Sequence, residues 1–173
     1  MTPLTLLCIT LLSAPPNAGA KPSAARPAEV SATAAVNAVL DDWHRAAAQA
    51  DEARYFAHFT QDAIYLGTDA TERWTRDEFR AWAHPYFAKG KAWDFTPSSR
   101  HVSLSRDGKL AWFDEVLATP NLGPSRGSGV LVKEGETWKI AQYNLSVPIP
   151  NDVLEDVKAR IEQYEKSKAK PGK

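Results

Sequence analysis

Two adjacent acids, Asp114 and Glu115, stand in the middle of the segment AWFDEVL, whose other residues are typical of a buried strand. Because successive side chains of a strand point to opposite faces, each face of the sheet carries one carboxylate. An ionised carboxylate in an apolar interior is very costly unless it has a partner or a raised pKa. An inward carboxylate of this kind could serve as a general base, so both acids are candidate catalytic residues.

Arginines on the neighbouring predicted strands are the candidate partners of the inward acid. Arg100 lies on the preceding strand and Arg126 on the following one. Strand parity alone does not decide which acid points inward, and we predict that it is Glu115, with Arg126 beside it at the mouth of a pocket. Two interpretations remain open: the acid lines a ligand pocket, or Asp114 and Glu115 form structural ion pairs with the two arginines.

Two glycines in the segment RGSGVLV predict where that pocket lies. Gly127 and Gly129 share one face of their strand, and neither has a Cβ atom. Their face is therefore locally hollow, with room for a large neighbour or a ligand. If Glu115 is on the same side, a cavity with a glycine floor and a carboxylate at its edge follows.

Aromatic and amide side chains complete the predicted ligand site. Trp74 and Trp93 flank a predicted helix near the open end of the fold, and we predict that they line the mouth, with Tyr65 and Tyr143 behind them. Tyr143 and its neighbour Asn144 could orient a ligand by hydrogen bonding. Three further tryptophans lie on apolar stripes and are expected to pack in the core, because aromatic residues dominate cores: Trp43, Trp82 and Trp138.

The elements that must position these residues follow from periodicity. Apolar residues at helical spacing predict a helix over residues 36–43, and a capping box at Thr75–Glu78 opens another that ends at Gly90 and contains Pro85. A short helix carrying Phe56 and Phe59 is predicted between them. Short strands at 63–67 and 73–74 and four longer ones at about 94–105, 109–118, 126–134 and 137–147 follow the strand pattern. Helices followed by an antiparallel meander predict an α+β fold, a curved antiparallel sheet covered by N-terminal helices, plus an extra C-terminal helix.

The chain of 173 residues is long enough for one domain with a sizeable core. Its 21 basic and 21 acidic residues give a net charge of +0, so no basic field favours nucleic acid as a partner. The predicted division is a signal peptide (1–20), an Ala/Pro-rich linker (21–31), the folded domain (32–147), a C-terminal helix (148–165) and a basic disordered tail (166–173).

The first twenty residues predict export. An apolar stretch is followed by Pro15 and Pro16 and by a small-residue cleavage pattern that ends at Ala20. The stretch is about half the ~20 residues that a membrane span requires, so no stable membrane insertion is expected after cleavage. The mature protein would be periplasmic or secreted. No metal site or cofactor is predicted, because the four histidines show no ligand spacing and no glycine-rich loop opens a helix.

Three segments, FTQDAIYLGTDATERW, AWFDE and GVLVKEGETWKIAQYNLS, resemble the SnoaL-like branch of the nuclear-transport-factor-2-like superfamily. In the last segment, Ser146 stands eight residues after Trp138. The resemblance covers about residues 34–147 and implies a cone-shaped α+β fold with a pocket, often a homodimer, as in the ketosteroid isomerases. Where many relatives have histidines on the last strand, this chain has Gln142 and Asn144.

The sequence therefore predicts an exported protein that binds a small, partly apolar molecule in a conical pocket. One alternative is a cofactor-independent isomerase, dehydratase or cyclase with a carboxylate base. The other is a dimerisation or assembly module. These classes differ in whether the pocket contains an accessible acid and whether a sheet face is left apolar and exposed.

Overall fold

The computed structural model describes the backbone of residues 27–168 and the side chains of residues 30–168. The predicted signal peptide (1–20), the first part of the linker (21–26) and the last five residues of the tail lie outside the described residues. The elements, in chain order, are α1 (Pro27–Ala48), α2 (Glu52–Ala57), β1 (Phe59–Leu66), β2 (Arg73–Thr75), α3 (Arg76–Ala88), β3 (Thr96–Leu104), β4 (Leu110–Thr119), β5 (Gly123–Glu134), β6 (Thr137–Ser146), a 3-10 turn (Asn151–Val153) and α4 (Leu154–Lys168).

The first helix buries one apolar stripe. Val36, Leu40, Trp43 and Ala47 are at most 1% exposed, and their spacing places them on one side of α1. The helix begins at Pro27, a residue type that is favoured in the first turn because its missing N–H has no helical partner there. Residues 27–31 are therefore helical, and the predicted linker is wrong over that range.

The second helix ends before Phe59, which was predicted to lie on it. His58 caps the end of α2, and its carbonyl accepts a hydrogen bond from the Ile140 N–H at 2.8 Å. Phe59 then pairs with Ile140 as the first residue of β1. The contact that ends the helix comes from a strand about eighty positions away, which a local pattern cannot show.

The third helix opens on the predicted capping box. The Glu78 N–H donates to Thr75 Oγ1, and the Thr75 N–H donates to Glu78 Oε2 at 2.8 Å. One continuous helix then runs through Pro85, without the restart that proline predicts, because Phe79, Ala83 and Phe87 anchor it to the core on both sides. Gly90, at a φ of 69°, follows its end.

The six strands form one sheet in the order β2-β1-β6-β5-β4-β3. Four of the five strand pairs are antiparallel, as predicted, whereas β1 and β6 run parallel, so the curved sheet is mixed. Hairpin turns join β3 to β4, β4 to β5 and β5 to β6. The chain from β2 to β3 passes through α3 and leads from one edge of the sheet to the other. The parallel pair joins residues that are far apart in sequence and therefore left no local signal.

The sheet has an inner and an outer face that differ in exposure. Every second residue of β4 is buried, which is the pattern of a strand with one face on the core. The outer face leaves Leu110, Trp112 and Val116 exposed by 43% or more.

No side chain of α4 is buried, and α4 extends to Lys168, three residues into the predicted tail. Within residues 27–168, no helix is long and apolar enough to cross a membrane.

Candidate functional site

Of the two adjacent acids, Glu115 points into the fold. Its side chain is 0% exposed, whereas Asp114 lies on the outer face in contact with solvent. Strand β4 pairs with β3 and β5 on either side, so Glu115 stands opposite Arg100 on one neighbour and Gly127 on the other. A carboxylate in this position is cut off from water and depends on protein partners.

Two side chains, His44 and Arg100, hold the Glu115 carboxylate by hydrogen bonds. Nε2 of His44, on α1, donates to Oε1 at 2.7 Å, and Nε of Arg100 donates to Oε2 at 2.8 Å. Arg100 reaches back to α1 as well, where its Nη1 donates to Asp41 Oδ1 at 2.7 Å. These bonds join α1 to β3 and β4 through one buried carboxylate. Of the ion pairs that the structural interpretation named, the one between Glu115 and Arg100 is present, and Arg126 takes no part in it.

The electrostatics keep Glu115 ionised. Burial alone would raise its pKa, but the hydrogen bond and charge of His44 and the charge of Arg100 outweigh that effect, and the pKa lies below its usual value. A general base works best when its pKa is near the working pH and when it can reach the substrate proton. Glu115 has a lowered pKa, and both of its oxygens are already hydrogen-bonded.

The space above the two glycines is filled. A Cβ atom on Gly127 would overlap the Tyr143 hydroxyl and lie 2.8 Å from Glu115 Oε1. One on Gly129 would overlap the backbone carbonyl oxygen of Gln142 and lie 2.9 Å from Cε1 of Phe113. The prediction of a cavity with a glycine floor is therefore wrong. The space at the two glycines is occupied by neighbouring protein atoms and leaves no room for a ligand.

Four predicted ligand-binding residues do not line the cavity that the structure shows within residues 27–168: Arg100, Arg126, Tyr143 and Asn144. Arg126 is on the outer face and exposed, because Gly127 shares the inner face with Glu115 and the residue before it must point outward. Asn144 points to the same outer side. Tyr143 lies on the inner face but is fully buried against Trp43, and burial raises the pKa of its hydroxyl well above the usual value.

A cavity of about 690 Å³ opens at one end of the sheet. The carboxyl ends of α1, β1, β4 and β6 meet there, together with the connection between α3 and β3. This volume is within the range of small-molecule sites. The residues that line it are Ala47, Ala48, Tyr65, Gly67, Thr68, Glu72, Trp74, Phe79, Trp82, Gly90, Lys91, Ala92, Trp93, Asp94, Phe95, Thr119, Pro120, Asn121, Leu122 and Leu145.

Aromatic rings form one wall of this cavity. Tyr65, Trp74 and Trp93, three of the predicted ligand-binding residues, line it. Trp82 lines it too, and its 44% exposure shows that the prediction of a core role for Trp82 is wrong. The centroids of the Trp74 and Trp82 rings are 5.1 Å apart, at an interplanar angle of 25°. The side chain at position 82 is offset from the buried stripe of α3 and so reaches the rim.

Charged side chains that sequence reasoning missed also line the cavity: Glu72, Lys91 and Asp94. Glu72 could have been found by parity, because Glu72 and Trp74 are two residues apart and so share a face where the chain is extended. Lys91 and Asp94 lie in an irregular connection, where no period indicates direction. Within the part of the chain that the structure describes, no cluster of three or more His, Cys, Asp or Glu residues is arranged to hold a metal ion.

Glu115 lies one side chain away from this cavity. The ring of Phe95, which lines the cavity, packs against His44 with 6.2 Å between the ring centroids. His44, in turn, is the partner of Glu115. Neither Glu115 nor Arg100 lines the cavity itself. The buried ion pairs therefore support the wall, and the aromatic and charged side chains form the surface that a ligand would meet.

The model of the SnoaL-like domain family matches residues 36–150, about two thirds of the sequence. The chain belongs to this SnoaL-like family. Comparison with curated proteins finds no match. The SnoaL-like fold is shared with an NTF2-like protein of unknown function from Pseudomonas putida, which is 13% identical with a TM-score of 0.60 over 72% of this chain and 92% of that one.

Two further solved structures share the fold of this SnoaL-like protein. A candidate dehydratase of the NTF2-like family from Streptomyces avermitilis is 13% identical, with a TM-score of 0.61 over 70% of this chain and 99% of that one. A candidate scytalone dehydratase from Novosphingobium aromaticivorans is 12% identical, with a TM-score of 0.59 over 69% and 86%. At these identities the comparison shows the NTF2-like fold.

Replacing the buried acid tests its structural role. We expect Glu115→Ala to lower the free energy of unfolding by about 3 to 5 kcal/mol, because it removes the buried hydrogen-bond partner of both Arg100 Nε and His44 Nε2. The matched control is Asp114→Ala on the outer face, for which a change within about 0.5 kcal/mol is expected. Urea denaturation measures both, and equal stability of the two variants would contradict the structural role.

The pH dependence of stability offers a second test. The pKa of Glu115 is lower in the folded protein than its ordinary value of 4.5, so its contribution is complete above that pH and is lost as the pH falls. Glu115→Gln cannot lose a proton and lacks this contribution at every pH. We therefore expect the stability gap between the natural protein and this variant to be constant at neutral pH and to narrow below about pH 4.5. A gap that widens on acidification would show that the folded-state pKa is raised.

Proposed function

We propose that this chain is an exported protein that binds a small, partly apolar molecule in the cavity at the end of its sheet. The observation that supports this most directly is the cavity itself, about 690 Å³ in volume, with an aromatic wall and a few charged groups on its surface. Small-molecule sites combine a mainly apolar lining with a small number of placed polar groups. The sequence of residues 1–20, with the features of a cleaved signal peptide, supports export.

The positions of Glu115 and Asp114 favour ligand binding without turnover over catalysis by Glu115. An isomerase, dehydratase or cyclase with this base would need its carboxylate to reach the ligand, but both Glu115 oxygens are hydrogen-bonded behind the cavity wall. Asp114 faces away from the cavity altogether. Two structural neighbours are named as candidate dehydratases. At their low sequence identity to this chain, the likeness supports a shared fold and does not extend to a shared reaction.

We also propose that two copies associate through the outer face of the sheet. Leu110, Trp112 and Val116 form an exposed apolar patch on β4. Asp114 and Arg126 lie on the same face, and a two-fold arrangement can place the acid of one copy against the arginine of the other. An isologous contact of this kind would leave the cavity open, because the cavity lies on the inner side.

Native mass spectrometry of the protein from its source cells tests export, ligand and dimer in one measurement. We expect a mature chain that begins close to residue 21, a mass of twice that chain, and an adduct of a few hundred daltons that is lost on denaturation. A chain that retains residues 1–20 would contradict export. A monomeric mass at every concentration would contradict the dimer.

Truncating the aromatic wall tests whether the cavity is the binding site. We expect Trp82→Ala and Trp93→Ala each to weaken binding of the neutral apolar probe N-phenyl-1-naphthylamine by about two- to tenfold, because each removes an aromatic contact. Fluorescence titration measures the affinity. Trp112→Ala is the matched control for Trp82→Ala, since the two tryptophans are exposed to a similar extent and Trp112 lies on the outer face. Equal affinities for all three variants would contradict this site.

A further inference from the structure

The β1–β2 hairpin presents a carboxylate and a phenol on one face. The Gly67 N–H donates to the Glu72 carbonyl at 2.9 Å, which extends the pairing in which Tyr65 is opposite Trp74. Tyr65, Gly67, Glu72 and Trp74 therefore all belong to the inner face, and all four line the cavity. Gly67 has no side chain, and the Glu72 carboxylate lies over its Cα, in the space that a Cβ atom would need. The sequence of the hairpin thus fixes an acid at the cavity surface.

The polar groups of this hairpin retain hydrogen-bonding capacity. Among residues 27–168, Glu72 Oε2 accepts one bond, from the Asp69 N–H at 3.1 Å, and the Tyr65 hydroxyl makes none, although Tyr65 is only 5% exposed. Burial and the negative charge of Glu72 raise the pKa of Tyr65, so its hydroxyl stays protonated. The hairpin offers a ligand one carboxylate and one phenol that the protein itself does not use fully.

The charges on the cavity surface are unbalanced. Glu72 and Asp94 are acidic, Lys91 is basic, and within the described part of the chain none of the three is in an ion pair. Carboxylates beside aromatic rings favour a bound cation through two separate electrostatic effects. The carboxylate attracts the charge directly, and an indole ring attracts it through its quadrupole.

We propose that the cavity selects a molecule with a protonated amine on an apolar, preferably aromatic, body. The Glu72 carboxylate binds the ammonium group, and the Tyr65 hydroxyl can accept from the same group. The apolar body packs on the wall formed by Trp74, Trp82 and Trp93. This inference rests on the proposed ligand-binding function and adds the charge of the ligand to it.

Three indole compounds of similar size and different charge test the proposal: tryptamine, the neutral alcohol tryptophol, and indole-3-acetate. Isothermal titration of the full mature protein at neutral pH gives the three affinities. We expect tryptamine to bind about tenfold more tightly than tryptophol, and indole-3-acetate to bind most weakly. We expect Glu72→Gln to remove the preference, so that the variant binds tryptamine and tryptophol with equal affinity.

The matched control is Glu134→Gln, which changes the net charge equally at the exposed last residue of β5, at the end of the sheet away from the cavity. It should keep the preference for tryptamine. Equal binding of tryptamine and tryptophol to the natural protein, or an intact preference in Glu72→Gln, would overturn the inference and leave the proposed function standing. Absence of binding by all three compounds at millimolar concentration would count against the proposed function as well.

Discussion

The buried carboxylate of Glu115 is the interaction on which the arrangement of helix and sheet depends. Removing a carboxylate from water is costly, and the cost is offset only if partners are placed accurately around it. His44 and Arg100 provide those partners, and Arg100 also binds Asp41 on the helix. Helix α1 is therefore held over β3 and β4 by directional bonds as well as by apolar packing, which fixes its position along the sheet more narrowly than packing alone would.

This arrangement decides where the fold is solid and where it is hollow. Under α1, the inner face is filled by the ion pairs and by Phe113 and Tyr143, which occupy the space above the two glycines. The helix ends in the small residues Ala47 and Ala48, and both line the cavity. Beyond them α3 packs against β1, where Phe79 stacks on Tyr65, and Phe79 and Trp82 of α3 line the cavity from that side. The cavity thus lies next to the region of buried ion pairs, beyond the carboxyl end of α1.

The cavity and the outer sheet face serve different purposes in this interpretation. The cavity combines aromatic rings with acids that have no ion-pair partner within the described residues, which suits a ligand of complementary charge. The outer face combines an apolar patch with charges of both signs, which suits a second copy of the chain. Because strand alternation separates the two faces, an association on one can leave the other open. Sheet folds of this kind can therefore vary their ligand without changing their assembly.

Local chemistry in the sequence was enough to predict several parts of the protein. Periodicity and the capping box at Thr75 and Glu78 predicted the helices, and hairpin turns predicted four of the strands. Strand alternation predicted that one of the adjacent acids would be buried. Tyr65, Trp74 and Trp93, which the pattern predicted as ligand-binding residues, line the cavity. These features depend on neighbours close in the chain, where residue type and spacing carry the information.

Long-range packing decided the rest. The parallel pairing of β1 with β6 set the end of α2 at His58, and the approach of α1 decided that Glu115 would meet His44 instead of a ligand. The sequence showed that Gly127 left a space, but only the tertiary structure showed that the Tyr143 hydroxyl and Glu115 fill it. A missing side chain creates room, and what enters that room depends on elements brought together from distant parts of the chain.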